Sequence, residues 1–347
     1  MNKILRNLLH FFLDLVLITL LTLIIFYTEM TVYLTDQAVG QMKIILDSKS
    51  MESGEKYSTL DKNQSDNLIL IKNVKEYSVN HLYFNPSGSY ERIYDQKGKT
   101  LIWLVTACEP FSLTAFEWNY PILGKLSYKG FFDSIKAIKE MRKLQKQGYD
   151  VDISHVQAWS TLGYLNDPIF SEMLNKSKGE LAELIFHELF HGTIYAPGST
   201  ELNENLAEFI AKKATLEFLK TDTMALNSYK KQTNHEKELI LCMLSLKDSL
   251  TKFYSSPQFN SGNTPENKHL KNKKLKSLSY SVIDQKNITL KSKSKIALKI
   301  QTSGNAYFMH YKRYNALEDS LENLLREKYS GKLDRMILDL KNNISSF

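Results

Sequence analysis

The sequence predicts an α+β fold, mainly helical, with a small mixed β/α region in its first half and an N-terminal transmembrane helix ahead of it. Three observations carry this expectation. Apolar residues recur at helical spacing over most of the 347 residues. Seven Pro and fourteen Gly are too few for an all-β protein built from many tight turns. Short apolar runs of strand length are concentrated between about residues 100 and 161. A composition of 43% hydrophobic and 24% charged residues excludes wholesale disorder.

The elements follow in order. Phe11 to Tyr27 is an apolar run interrupted by one charge, Asp14, and Leu8 and Leu9 extend it past His10. About 20 residues at 1.5 Å each match a hydrocarbon core of about 30 Å. The small-residue site Ala38-Val39-Gly40 lies too far downstream for a signal-peptide cleavage, so an uncleaved anchor is expected. Lys3 and Arg6 precede the run while Glu29 and Asp36 follow it, which puts the N-terminus in the cytoplasm and the rest outside. Residues 1–30 are thus read as a cytoplasmic tip and anchor. Residues 31–56 are read as a juxtamembrane helix (Val32, Val39, Met42, Ile45) with a polar linker near Ser48 to Lys56, and residues 57–347 as one domain.

Within that domain a helical pattern runs from about Ser65 to Leu82. Thr100 to Ala107 reads as a strand, Phe131 to Gln147 as a helix stopped by Gly148, and Tyr149 to Ile153 as a strand. Ala158 to Thr161 reads as a further strand, and Trp159 to Gly163 has the form of an edge on which an extended peptide can pair. From Asp167 the pattern is helical, broken by a lysine-rich segment within 259–300 and polar residues up to about Ser303.

The net charge of +7 is local. Ten Lys and no Arg stand against Glu266 and Asp284 in that lysine-rich segment, a surplus of eight that exceeds the surplus of the whole chain. Mixed with Ser and Asn, such a run reads as a solvated helix face or loop. Lacking Arg clusters and interleaved aromatics, it does not point to nucleic acid. Two Cys, at 108 and 242, exclude a disulfide framework and a Cys-rich zinc finger, so a metal site must rest on His and carboxylates.

The chemistry concentrates in residues 179–215, GELAELIFHELFHGTIYAPGSTELNENLAEFIAKKAT. His187 and His191, four apart on a helix, direct imidazoles from one face at a single ion. Glu188 points about 100° around the helix, where it misses the ligand set and can act as general base on a water. That helix is expected to end near Tyr195. After the turn Ala196-Pro197-Gly198 and a cap at Ser199 or Thr200, a second amphipathic helix folds back and offers Glu204 and Glu208 one turn apart. Glu204 completes a His2Glu set for one zinc ion, and Glu208 is placed to orient a ligand imidazole. A transition-state donor is sought among Tyr195, His310, Tyr311 and Tyr314, among which the sequence does not choose.

The segment HELFHGTIYAPGSTELNENLAEF resembles the bacterial predicted-aminopeptidase family of envelope-tethered H-E-x-x-H proteins, as do SYKGFF (127–132), GYDVDI (148–153), AWSTLGYLNDPIFSEML (158–174) and an Asn-Ala pattern near Asn305. That family is similar to the gluzincin metallopeptidases. The resemblance implies a gluzincin-like zinc metallopeptidase core, Glu188 as base, Glu204 as third ligand, a peptide or protein substrate, and a bacterial cell-membrane location with the catalytic domain extracytoplasmic. Phe190 and Gly192 depart from the family's small residue and Gln, and the lipoprotein Cys is missing; Phe190 is expected to narrow a pocket. Trimming from a free N-terminus requires a carboxylate for the α-ammonium, for which Glu183 and Glu201 are candidates. The alternatives are a zinc endopeptidase of the same fold and a non-catalytic zinc-containing envelope scaffold. Glu188 argues against the scaffold, since structural zinc is usually closed by four protein ligands.

Overall fold

The structure, a computed structural model, describes residues 3–26, 28–50, 60–120, 124–156, 161, 165–196, 198–283, 290–315 and 317–343. Residues 1–47 and 48–347 form two compact units. The first consists of helices α1 (Lys3–Phe26) and α2 (Thr28–Asp47).

The expectation of a transmembrane helix is corrected: among the described residues no helix is long and apolar enough to cross a membrane. Asp14 interrupts the apolar run of α1, and a carboxylate held within a hydrocarbon core costs about 2.5–3.5 kcal/mol. The single-pass anchor and the extracytoplasmic location that rested on this span are therefore unsupported.

The second unit opens with β1 (Lys49–Ser50), where the sequence suggested a linker. Helix α3 (Lys62–Leu82) starts on a capping box in which Asp61 accepts from the Gln64 N–H at 2.8 Å and Gln64 accepts from the Asp61 N–H at 3.1 Å. It ends at Tyr83, which takes the left-handed conformation, and buries Leu70, Ile71, Val74 and Leu82. Strands β2 (Arg92–Tyr94), β3 (Trp103–Cys108), β4 (Trp118–Tyr120), β5 (Gly124–Leu126) and β6 (Lys129–Phe131) follow. Then come α4 (Ser134–Lys146), β7 (Asp150–His155) and β8 (Ile169–Phe170).

These strands make three small sheets ordered β1-β2-β8, β6-β3-β7 and β4-β5. In the middle sheet β3 is antiparallel to both neighbours, with Trp103 opposite Phe131 and His155. The strand expected at Ala158 to Thr161 and the edge at Trp159 to Gly163 fall outside the described residues except for Thr161.

The remainder is helical: α5 (Lys178–His191), α6 (Thr200–Phe218), α7 (Thr223–Tyr254), α8 (Pro265–Ile283), α9 (Leu290–Ser303), α10 (Phe308–Asn315), α11 (Glu318–Tyr329) and α12 (Leu333–Asn343). The lysine-rich segment is helical and exposes Lys268, Lys273, Lys276 and Lys295, as a solvated helix face should, but its opposite face is core. Its described residues form α8 and α9, whose Leu275, Leu278, Val282, Ile296 and Ile300 share a core with Met243 and Leu250 of α7 and with Cys108 of β3. Two of its lysines fasten it to β7: Lys271 is buried with its Nζ 2.5 Å from Asp150, and Lys299 lies 2.6 Å from Asp152. Gly304 makes this junction feasible. Its φ of +54° suits glycine, and a Cβ there would strike the Asp150 carboxylate.

Candidate metal centre and active site

Helix α5 begins on a second capping box, Ser177 with Glu180, and turns Leu181, Ala182, Ile185, Phe186, Leu189 and Phe190 into the core. That apolar stripe leaves Glu183, His187 and His191 on one face at i, i+4 and i+8, with Glu188 beside them. The helix stops at His191 and not near Tyr195: the Thr193 N–H bonds the Phe190 carbonyl three residues back, a tightened last turn, and the Ile194 N–H makes a four-residue bond to the same carbonyl, both at 2.9 Å.

The return to α6 is clamped by buried Asn203. Its carboxamide accepts from the Ala196 N–H and donates to the Ala196 carbonyl, both at 2.8 Å. Asn205 donates to the Glu201 carbonyl and accepts from the Leu317 N–H at 3.0 Å, tying α6 to the start of α11. Between these two asparagines Glu204 faces α5.

The structure brings His187, His191 and Glu204 together, with one potential ligand atom from each lying within 4.8 Å of the others. The two imidazole Nε2 atoms are 3.2 Å apart, His187 Nε2 is 3.5 Å from Glu204 Oε2, and His191 Nε2 is 3.9 Å from Glu204 Oε1. Ligand atoms about 2.0–2.1 Å from a tetrahedral zinc are about 3.3–3.4 Å apart. The imidazole pair is close to that spacing, the two Glu204 oxygens each approach a different imidazole, and the donor set of two imidazoles and one carboxylate suits zinc.

Outside this triad Glu208 Oε2 stands 3.6 Å from His187 Nδ1 and its other oxygen 2.9 Å from Lys212 Nζ. Burial lowers the His187 pKa, but the surrounding carboxylates of Glu204, Glu208 and Glu188 outweigh it and raise that pKa well above the usual imidazole range. Burial and the neighbouring His187 pull His191 down to about 4. Burial raises Glu208, yet His187 and Lys212 overcome it and bring its pKa to about 2.

The other sequence candidates scatter. Glu183 receives a 2.7 Å hydrogen bond from the Tyr229 hydroxyl, and burial, with the Glu208 charge, pushes its pKa up to about 7. Tyr229 can lie this close because the helix residue facing it is Gly179, where a Cβ would meet the ring at 2.5 Å. Glu201 lines a separate cleft of about 490 Å³ with the β4–β5 hairpin. Of the proposed donors, Tyr311 is buried with its hydroxyl 3.2 Å from that of Tyr307, and His310 is exposed. Tyr195 is half-buried just past α5, and the Tyr314 side chain lies outside the described residues. Phe190 narrows no pocket here, for it is turned into the core, edge-on to Phe84 at 5.8 Å.

A pocket that sequence reasoning missed adjoins Glu188. It has a volume of about 160 Å³ and is walled by residues 85–90, Asn166 and Asp167, and Glu188, Leu189 and Gly192 of the α5 end. Asp167 is 3% exposed; its Oδ2 accepts from the Thr161 N–H at 2.8 Å and the Thr161 hydroxyl at 3.1 Å, while Oδ1 is buried with no partner among the described residues. Burial drives the Asp167 pKa up to about 6 against these hydrogen bonds. The one available signal was an Asp between Asn166 and Pro168 in an otherwise apolar run, which is indistinguishable by sequence from a turn. Asn203, Tyr229 and Lys212 were missed for the same reason: nothing local marks a residue whose partner is distant in the chain.

Comparison with curated proteins yields no match, and comparison with solved structures yields none. The family model described as "Putative aminopeptidase" matches residues 32–342, taking in both helices of the triad, the Glu188 pocket and the lysine-rich helices. On that extent of match, the chain belongs to this aminopeptidase family.

Proposed function

We propose that the protein is a zinc-dependent aminopeptidase of gluzincin type, with His187, His191 and Glu204 as metal ligands and Glu188 as general base. The observation that carries this reading is the convergence of three ligand atoms within 4.8 Å, with Glu188 the next residue after a ligand His. Zinc held there supplies Lewis-acid polarisation of a peptide carbonyl and lowers the pKa of a water toward about 7. Glu188, half-buried and on the adjacent face of α5, accepts the proton of the attacking water and delivers it to the leaving amine nitrogen. Glu208 and Lys212 hold the His187 ring in the orientation that aims Nε2 at Glu204. The described residues would supply three ligands to such an ion, whereas a purely structural site usually has four.

The test is metal analysis and peptide turnover on the purified protein and its Glu188→Gln variant. The expected result is one zinc per chain in both and hydrolysis in the parent alone, since the amide cannot take the proton. Full turnover in Glu188→Gln, or full zinc occupancy after His191→Ala, contradicts the assignment.

A further inference from the structure

The pocket beside Glu188 is acidic and built to stay so. Among the described residues its walls carry two carboxylates, Asp167 and Glu188, and no Lys, Arg or His. A buried carboxylate oxygen without a partner costs about 1–3 kcal/mol or more, and no cation among the described residues of this wall relieves it. The wall itself is rigid. Tyr90 is 1% exposed and sits at φ +64°, a conformation that disfavours a bulky residue, and its N–H donates to the Asp167 carbonyl at 2.6 Å. The Asp167 N–H donates in turn to Ser89 Oγ at 3.0 Å. Gly88 is pressed onto Asn166 so closely that a Cβ there would lie 2.7 Å from the Asn166 Oδ1. Backbone strain and reciprocal hydrogen bonds thus hold Asp167 in place before any ligand arrives, which lowers the ordering cost of binding. The two carboxylates share a neighbour: burial raises the Tyr90 pKa, and the charges of Glu188 and Asp167 both raise it further.

We propose that this pocket binds the free α-ammonium of a peptide substrate, with Asp167 as the residue that recognises it and so restricts the enzyme to chain ends. This rests on the peptidase reading of the adjoining triad. The chemistry asks for a small cation: two carboxylates line a pocket of about 160 Å³, which accommodates an ammonium group. A substrate held there by its N-terminus brings its first peptide bond alongside Glu188, whereas an internal segment would carry an uncharged amide into a wall of carboxylates. Neither Glu183, engaged by Tyr229, nor Glu201, in the cleft by the β4–β5 hairpin, combines burial, an unpartnered oxygen and a place beside Glu188. Asp167 is a specificity residue, and Glu188 remains the base.

The test is calorimetric titration of three probes into the zinc-loaded full chain: leucinamide, which has only an α-ammonium; N-acetyl-lysinamide, which has only a side-chain ammonium; and N-acetyl-leucinamide, which has neither. The expected order is leucinamide at least 10-fold tighter than the other two, as for a charge-assisted hydrogen bond. Asp167→Asn should abolish this preference while keeping its zinc content and circular dichroism. Should that variant fail to fold, Ser87→Lys, which leaves the Thr161–Asp167 bonds in place and adds a competing cation at the half-buried rim, should weaken leucinamide by the same order. Equal binding of leucinamide to parent and Asp167→Asn overturns the proposal, as does N-acetyl-lysinamide binding as tightly as leucinamide. The two readings fail separately. Asp167-dependent leucinamide binding in a protein that hydrolyses no peptide upholds the pocket and removes the peptidase, while peptide hydrolysis with an unchanged Asp167→Asn variant removes only the pocket.

Discussion

Replacing Asp167 by Asn should make the protein more stable at neutral pH, and the structure sets the size of the gain. The amide oxygen can still accept both Thr161 bonds, so the main change is the loss of a buried charge. Burial raises the Asp167 pKa from 3.8 to about 6, a shift of about two units or about 3 kcal/mol. The sign follows from proton linkage. Because the folded pKa exceeds the unfolded one, the folded state holds a proton that the unfolded chain has already released between about pH 4 and pH 6. The favourable contribution of the neutral acid is complete below about pH 4 and is lost as pH rises through 6. Asn does not titrate, so the stability of Asp167→Asn relative to the parent should rise by about 3 kcal/mol from pH 4 to pH 8, about 5 °C in Tm for a chain of this size. Any fixed cost of the new amide N–H cancels in that difference. Denaturant unfolding at the two pH values, on chelator-treated protein so that no metal charge acts on the pocket, measures it. A relative stability that does not change with pH, or that falls, refutes the argument that Asp167 is an uncompensated buried carboxylate. The same variant is expected to lose its hold on leucinamide, which is the trade between stability and function that a preorganised ionic pocket implies.

Glu208→Ala, which removes the carboxylate 3.6 Å from His187 Nδ1 and 2.9 Å from Lys212, should weaken zinc affinity or activity by about 10 to 100-fold, as measured by competition with a chelator. Asn203→Ala deletes both hydrogen bonds that close the α5–α6 turn and should destabilise the fold by about 1–3 kcal/mol in urea unfolding, with a matching loss of zinc because Glu204 is no longer aimed at α5. Lys271→Met leaves Asp150 charged and buried without its 2.5 Å partner and should cost about 3–5 kcal/mol in urea unfolding at pH 7, whereas an exposed lysine would cost almost nothing.

The amino-acid sequence by itself determined what short-range periodicity can encode. The 3.6-residue repeat and the stop and capping residues place α3, α4 and the start of α6 within a few positions of their observed limits, and four-residue spacing alone puts His187 with His191 and Glu204 with Glu208 on shared faces. It misjudged the end of α5, which closes at His191 on a tightened turn with the Thr193 N–H bonded three residues back to Phe190, short of Tyr195. At the N-terminus the apolar run implied a helix and the structure has one, but among the described residues no helix is long and apolar enough to cross a membrane. Tertiary structure decided the rest, because the energy of a charged or polar side chain depends on its surroundings and not on its neighbours in sequence. Lysines at 271 and 299 read as solvated until Asp150 and Asp152 are brought against them from more than a hundred residues away. Glu183 and Asp167 are both ordinary acids in the sequence. Only the folded chain gives one a tyrosine and leaves the other with an unpartnered oxygen in a pocket beside Glu188.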